Sequence, residues 1–81
     1  MPLTMFTTTW CGYCRRLKSQ LDRTDIAYTE VDIDMNPEGA ELVEHANSGN
    51  RTVPTLLFDD GSTLTNPSAR EVQRHLAALA G

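Results

Sequence analysis

Two cysteines stand three positions apart in Trp10-Cys11-Gly12-Tyr13-Cys14, and they are the only two in the chain. A pair at this spacing can cycle between dithiol and disulfide. A short apolar run precedes it and a helical pattern follows, so it reads as a redox site at a strand-to-helix junction. Only a thiolate attacks a disulfide, and a free thiol is little ionised near neutrality. Cys11 falls where the helix begins. Unpaired backbone N–H groups and the positive end of the helix dipole favour an anion there. Arg15, four residues on, leans back toward the helix start and brings a positive charge with it. Cys11 is therefore expected to be the nucleophile.

Cys14 shares a helical stripe with Leu17 and Leu21 and should face the core. A thiol in apolar surroundings stays protonated. Its place suits a resolving thiol, which attacks a mixed disulfide on Cys11, releases the bound thiol and closes the bridge. Gly12 removes bulk between the two cysteines. Tyr13 points away from the core, with Arg16 and Gln20 on its face, and can pack against a substrate. A zinc half-site is the alternative use of such a pair. It lacks its other ligands, since His45 and His75 have no ligand spacing to the pair or to each other. No metal site is assigned.

The elements that must hold this pair follow from pattern. Leu3 to Thr7 reads as a strand, Gly12 to Arg23 as a helix, and Tyr28 to Ile33 as a second strand. In that second strand Thr29, Val31 and Ile33 alternate against Glu30 and Asp32. A βαβ unit of this kind has parallel strands and a right-handed crossover. Asn36-Pro37-Glu38 starts the next helix with a capping Asn and a Pro at the first helical position. Ala40, Val43 and Ala46 or Asn47 share its apolar face, and Ser48-Gly49 ends it. Thr55 to Phe58 is a buried strand, Asp60-Gly61 a hairpin turn, and Ser62 to Thr65 an antiparallel return. Ser68-Ala69-Arg70-Glu71 has the form of a capping box before a helix carrying Ala69, Val72, Leu76 and Leu79. The order βαβαββα predicts an α/β fold: a four-stranded mixed sheet with helices on both faces.

At 81 residues there is room for one domain, residues 1–81. Met1-Pro2-Leu3 lacks the charged start and apolar stretch of a signal peptide, and no run is long enough to span a membrane. The expected setting is the reducing cytoplasm. A net charge of −4 argues against nucleic acid as the main partner. Arg15, Arg16 and Lys18 form a local basic run beside the cysteines.

Cys11-Gly12-Tyr13-Cys14, with Thr52-Val53-Pro54 some forty residues later, resembles the glutaredoxins. The resemblance covers essentially the whole chain and implies the thioredoxin-like (glutaredoxin) fold. It implies a cis Val53–Pro54 bond, with the Val53 backbone facing Cys11 to bind an extended thiol substrate. Trp10 and Gly12 are similar to the thioredoxins, which carry Pro where this chain has Tyr13. Glutaredoxins carry a Gly-Gly and an acid before the last helix to hold the far end of glutathione. The matching stretch here, Leu64-Thr65-Asn66-Pro67-Ser68, lacks both.

Within that family the chain looks most like the mycoredoxins, which use mycothiol. Asn50-Arg51-Thr52-Val53-Pro54 and Asp60 to Ser68 carry that likeness. Mycothiol ends in a sugar and an inositol, which hydroxyl and amide groups at Thr65, Asn66 and Ser68 would suit; Ser68 has a competing role as helix cap. The implied activity is reduction of mixed disulfides on client proteins, with mycothiol (or glutathione) as cosubstrate, no tightly bound cofactor, and a disulfide reductase upstream. Such a protein is expected to be a monomer. The resemblance leaves two other activities open: a general dithiol donor, for example to ribonucleotide reductase, and a [2Fe–2S] cluster carrier.

Overall fold

The computed structural model describes residues 3–80. Met1, Pro2 and Gly81 lie outside them, so the part of the N-terminal reading that rests on Met1 and Pro2 does too. The elements run β1 (Thr4–Thr7), α1 (Gly12–Arg23), β2 (Thr29–Asp32), α2 (Pro37–Ala46), β3 (Thr55–Leu57), β4 (Thr63–Thr65) and α3 (Ala69–Ala80). The sheet order is β2-β1-β3-β4. β1 pairs parallel with β2, with Phe6 opposite Val31, and antiparallel with β3, with Phe6 opposite Thr55. β3 and β4 form the antiparallel hairpin. The expected mixed sheet with three helices is therefore present.

Alternation along β1 supplies both faces of the sheet. Leu3 and Met5 join Leu56 and Phe58 under Leu17 and Leu21 of α1 and Val72 of α3. Phe6 points the other way and joins Ile33 with Ala40 and Val43 of α2. Helix α2 lies close on this second face. A Cβ built on Gly39 would stand 3.2 Å from Val31 Cγ1 and 3.3 Å from the Phe6 ring, so a larger residue there would require these side chains to give by a few tenths of an ångström.

The helix starts follow their caps. Asn36 Oδ1 accepts the Gly39 N–H at 2.9 Å, with Pro37 in the first turn. Ser68 and Glu71 form the reciprocal capping box: Glu71 N–H donates to Ser68 Oγ at 3.1 Å, and Ser68 N–H to Glu71 Oε1 at 2.9 Å. Past α2, Ser48 and Gly49 both take positive φ, and the Gly49 N–H returns to the Glu44 carbonyl at 2.7 Å.

One expectation needs correcting, and one open alternative is resolved. In β2, Thr29 is exposed rather than inward, because the sheet order leaves β2 at an edge; only Val31 and Ile33 reach the core. On α2, Ala46 is exposed and Asn47 takes the inward place. Asn47 Nδ2 donates to the Val43 carbonyl and to Thr55 Oγ1, and Asn47 Oδ1 accepts the Thr65 hydroxyl. One amide thus ties α2, β3 and β4 together.

Candidate active site

β1 ends at Thr7, and a turn through Thr9 and Trp10 delivers Cys11 to the start of α1. Cys11 is the N-cap, with extended backbone, and its sulfur takes the part usually played by a Ser or Asp oxygen. The Cys14 N–H donates to Cys11 Sγ at 3.1 Å. From the other side the Cys11 thiol faces the Val53 carbonyl, with Sγ 3.8 Å from the oxygen. The Val53–Pro54 bond is cis.

Cys14 has no exposed surface and lies at the start of the α1 apolar stripe. Burial, then the neighbouring Cys11, pushes its thiol up to about 11. It is a protonated thiol at neutral pH. Both cysteines are free. Beside them Thr8 Oγ1 is buried with no hydrogen-bond partner among the described residues.

The basic run is divided among different tasks. Arg15 does reach back toward the helix start, but its guanidinium donates to the Thr9 carbonyl at 3.4 Å. Lys18 pairs with Glu30 at 2.7 Å. Arg16 lines a groove beside Tyr13. A Cβ on Gly12 would meet only Arg15 Nη2, at 4.0 Å, so the fold itself leaves room for a side chain there.

That groove, of about 310 Å³, runs between α1 and the start of α3. Tyr13, Arg16, Gln20, Asn66, Ser68 and Glu71 line it. Asn66 stands at positive φ, a conformation Asn tolerates, and its N–H donates to the Pro54 carbonyl at 2.7 Å. The 52–54 loop and the β4–α3 turn are thereby fixed to one another. Thr65 does not line the groove; its hydroxyl is bonded to Asn47. Thr52 is exposed, and its carbonyl accepts the Thr55 hydroxyl at 2.7 Å.

Two residues at the site were not singled out from sequence. Glu71 brings an acid into the groove although the 64–68 stretch has none. The capping-box pattern located Glu71, yet only the packing of α3 beside α1 turns it toward Tyr13. Asp34, on the turn after β2, accepts the Trp10 indole N–H at 3.2 Å. No local pattern links residues so far apart. Among the described residues no group of three or more His, Cys, Asp or Glu side chains is placed to hold a metal ion, and no helix is long and apolar enough to cross a membrane.

A strand, a cysteine that caps the following helix and a second cysteine one turn in define a thiol–disulfide oxidoreductase of the thioredoxin-like class. The glutaredoxin family model matches residues 3–62, and the chain belongs to that family. It is 61% identical over 79 residues to a Mycobacterium tuberculosis protein that bears the glutaredoxin name, covering 98% of this chain and 94% of that one. It is 44% identical over 78 residues to Mycoredoxin 1 of Corynebacterium glutamicum, covering 96% of each. Among solved structures, a buckwheat glutaredoxin–glutathione complex superposes with a TM-score of 0.67 at 32% identity, over 91% of this chain and 69% of that one. The Escherichia coli NrdH-redoxin shares the fold, with a TM-score of 0.76 at 22% identity over 91% of this chain and 93% of that one.

Proposed function

We propose that this chain is a single-domain, monomeric enzyme that reduces mixed disulfides between client proteins and a small thiol, and that the thiol it prefers is mycothiol. The observation that carries this reading is the setting of Cys11 Sγ. It holds a backbone N–H donor at 3.1 Å, faces the Val53 carbonyl, and sits beside an exposed Tyr13 that opens onto a polar groove.

Cys11 is the nucleophile. Its thiolate forms a bond to the small thiol's sulfur, the client–sulfur bond breaks, and the client leaves as a thiolate that takes up a proton. The helix N-terminus and the Cys14 N–H stay in place for the sulfur whenever it carries negative charge. A second small thiol then attacks the mixed disulfide on Cys11 and leaves as a symmetrical disulfide, which a disulfide reductase returns to two thiols. Cys14 can also resolve it, closing the Cys11–Cys14 bridge and releasing the small thiol. It must lose its proton to do so, and burial favours keeping that proton. Val53 offers its backbone to the thiol's cysteinyl part, while Trp10, Gly12, Arg15, Thr52 and Pro54 shape the surroundings.

Mycothiol is favoured for two reasons. The relative named Mycoredoxin 1 covers nearly all of this chain. The groove beside Tyr13 carries polar side chains, Arg16, Gln20, Asn66, Ser68 and Glu71, between the apolar Leu17 and Pro67, and hydroxyls of a sugar-bearing thiol could bond to them. A lone pair of cysteines spaced for redox cycling, with no structural disulfide framework, fits a reducing compartment, so the cytoplasm is the proposed location. The test is a side-by-side assay on one client capped with either thiol, with matched regeneration. Roughly tenfold faster reduction of the mycothiol-capped form, about 1.4 kcal/mol, supports the reading. Equal or faster reduction of the glutathione-capped form overturns the preference.

A further inference from the structure

The apolar stripe of α3 runs past the core. Val72 is fully buried, Leu76 is half-buried, and Leu79 is 36% exposed. The other exposed large apolar side chains among the described residues are Trp10, Tyr13 and Met35. Trp10 and Tyr13 flank Cys11, and Met35 follows Asp34, which holds the Trp10 N–H. Leu79 belongs to a different surface. Two apolar grooves run beside the C-terminal half of α3 and share Leu76 and Ala80. One, of about 410 Å³, lies toward the end of β3 and adds Leu79, Asp59 and Asp60. The other, of about 430 Å³, lies toward the α1–β2 loop and adds Leu3, Asp25, Ile26 and Ala27.

The charge around these grooves has one sign. Asp25, Asp59 and Asp60 line them, and no Lys, Arg or His does. Asp60 accepts the Ser62 hydroxyl and N–H, bonds that favour its carboxylate form. The last turn of α3 carries no basic residue to offset the negative end of the helix dipole. Arg23, two residues before Asp25, turns back to Ser19 Oγ on its own helix. The face is also far from the cysteines. Cys11 caps the start of α1, and the loop with Asp25 follows its end, about 18 Å away along a helix of this length. An occupant there leaves Cys11 open.

We propose that the C-terminal face of α3 is a docking surface for a basic amphipathic helix of a partner protein. The partner lays its apolar stripe in the grooves and sets Lys or Arg against Asp25, Asp59 and Asp60. Grooves that run beside a helix suit a second helix, read by anchors at i, i+3, i+4 and i+7. Charge selects this occupant. A second copy on the same face would make a self-complementary contact and bring the acids against each other. An acidic helix would be repelled, and so would an anionic membrane. The inference does not depend on which thiol the cysteine site prefers.

The test uses the isotope-labelled, reduced full chain and a designed Leu/Lys helix of about four turns as the probe. A Leu/Glu helix and an Ala/Lys helix of equal length are the controls. Amide signals of Ile26, Ala27, Leu76 and Leu79 should shift with the Leu/Lys helix and with neither control. Asp25→Lys combined with Asp59→Lys should weaken binding about tenfold at low salt, and much less at about 1 M salt, where exposed charges are screened. Leu79→Ser should weaken it about as much at either salt. All three positions are exposed, so melting temperatures should stay near wild type. With the probe bound, turnover on a peptide-free mixed disulfide should stay within about twofold of the free enzyme. Shifts spread over other acidic surfaces, equal binding of either control helix, no effect of Leu79→Ser or of the paired Lys substitutions, or lost turnover with the probe bound would each overturn the inference. So would a dimer of the protein alone that Leu79→Ser abolishes.

Discussion

The Cys14 backbone N–H donates to Cys11 Sγ at 3.1 Å, so the nucleophile proposed here is also the residue that caps its own helix. The two cysteines are held together through main chain and side chain even with both thiols free. They differ in setting: one sulfur faces the Val53 carbonyl, and the other is sealed under the α1 stripe.

Burial of Cys14 should make the reduced protein lose stability in alkali. Its thiol rises from 9.0 to about 11 on folding. Well below pH 9 both states hold the proton and there is no pH dependence from this group. Between the two values the unfolded chain loses its proton first, so stability falls as pH rises, by on the order of 1–3 kcal/mol in all. Urea melts of the reduced protein at about pH 8 and about pH 11 should show the loss, and Cys14→Ala should remove most of it. Tyr28, also pushed up, chiefly by burial, is present in both proteins and cancels. An equal slope in Cys14→Ala would contradict the assignment.

Ser68→Ala separates capping from binding. The hydroxyl accepts the Glu71 N–H, so its loss should lower stability by about 1 kcal/mol. The effect on small-thiol KM should be smaller than that of Tyr13→Ala. A thermal melt and a KM series on the two variants check both parts.

Tyr13→Ala should have the opposite profile. The ring is 64% exposed, so stability should change by no more than about 0.5 kcal/mol. Loss of its contact with the small thiol should raise KM roughly five- to tenfold, about 1 kcal/mol. An unchanged KM would remove Tyr13 from the thiol site.

Asn47→Ala should be costly although the residue is only half-buried. It removes the donor to buried Thr55 Oγ1, which keeps only its own bond to the Thr52 carbonyl, and the acceptor of the Thr65 hydroxyl. About 2 kcal/mol is expected from denaturant unfolding, with activity retained in the folded fraction.

Much of this was legible in the sequence because it is local. The bounds of α1, the Asn36-Pro37 start of α2, the Asp60-Gly61 hairpin and the Ser68–Glu71 capping box each depend on residues within one or two turns. Cys14 reads as buried for the same reason, since it shares a stripe with Leu17 and Leu21. What could not be read depends on which strands become neighbours. Thr29 looked inward-facing until β2 proved to be an edge. Glu71, Asp34 and Asn47 have ordinary local settings, and only the packing of α3 beside α1, or of one loop against another, brings them to Tyr13, Trp10 and Thr65. Thr65, read as a ligand contact beside Asn66, is instead the last residue of β4 and bonds Asn47 on the α2 side, while Asn66 leaves the strand at positive φ and lines the groove.

The most direct test of the account is a trapping experiment. Cys14→Ser, reduced and mixed with equimolar mycothiol-capped and glutathione-capped forms of one client, should stop at a mixed disulfide on Cys11 that mass spectrometry can weigh and locate. The account predicts that Cys11 carries predominantly mycothiol, that the client is released as free thiol, and that Cys11→Ser traps nothing. Modification at any other residue, a client chain left joined to Cys11, or predominance of glutathione would contradict it.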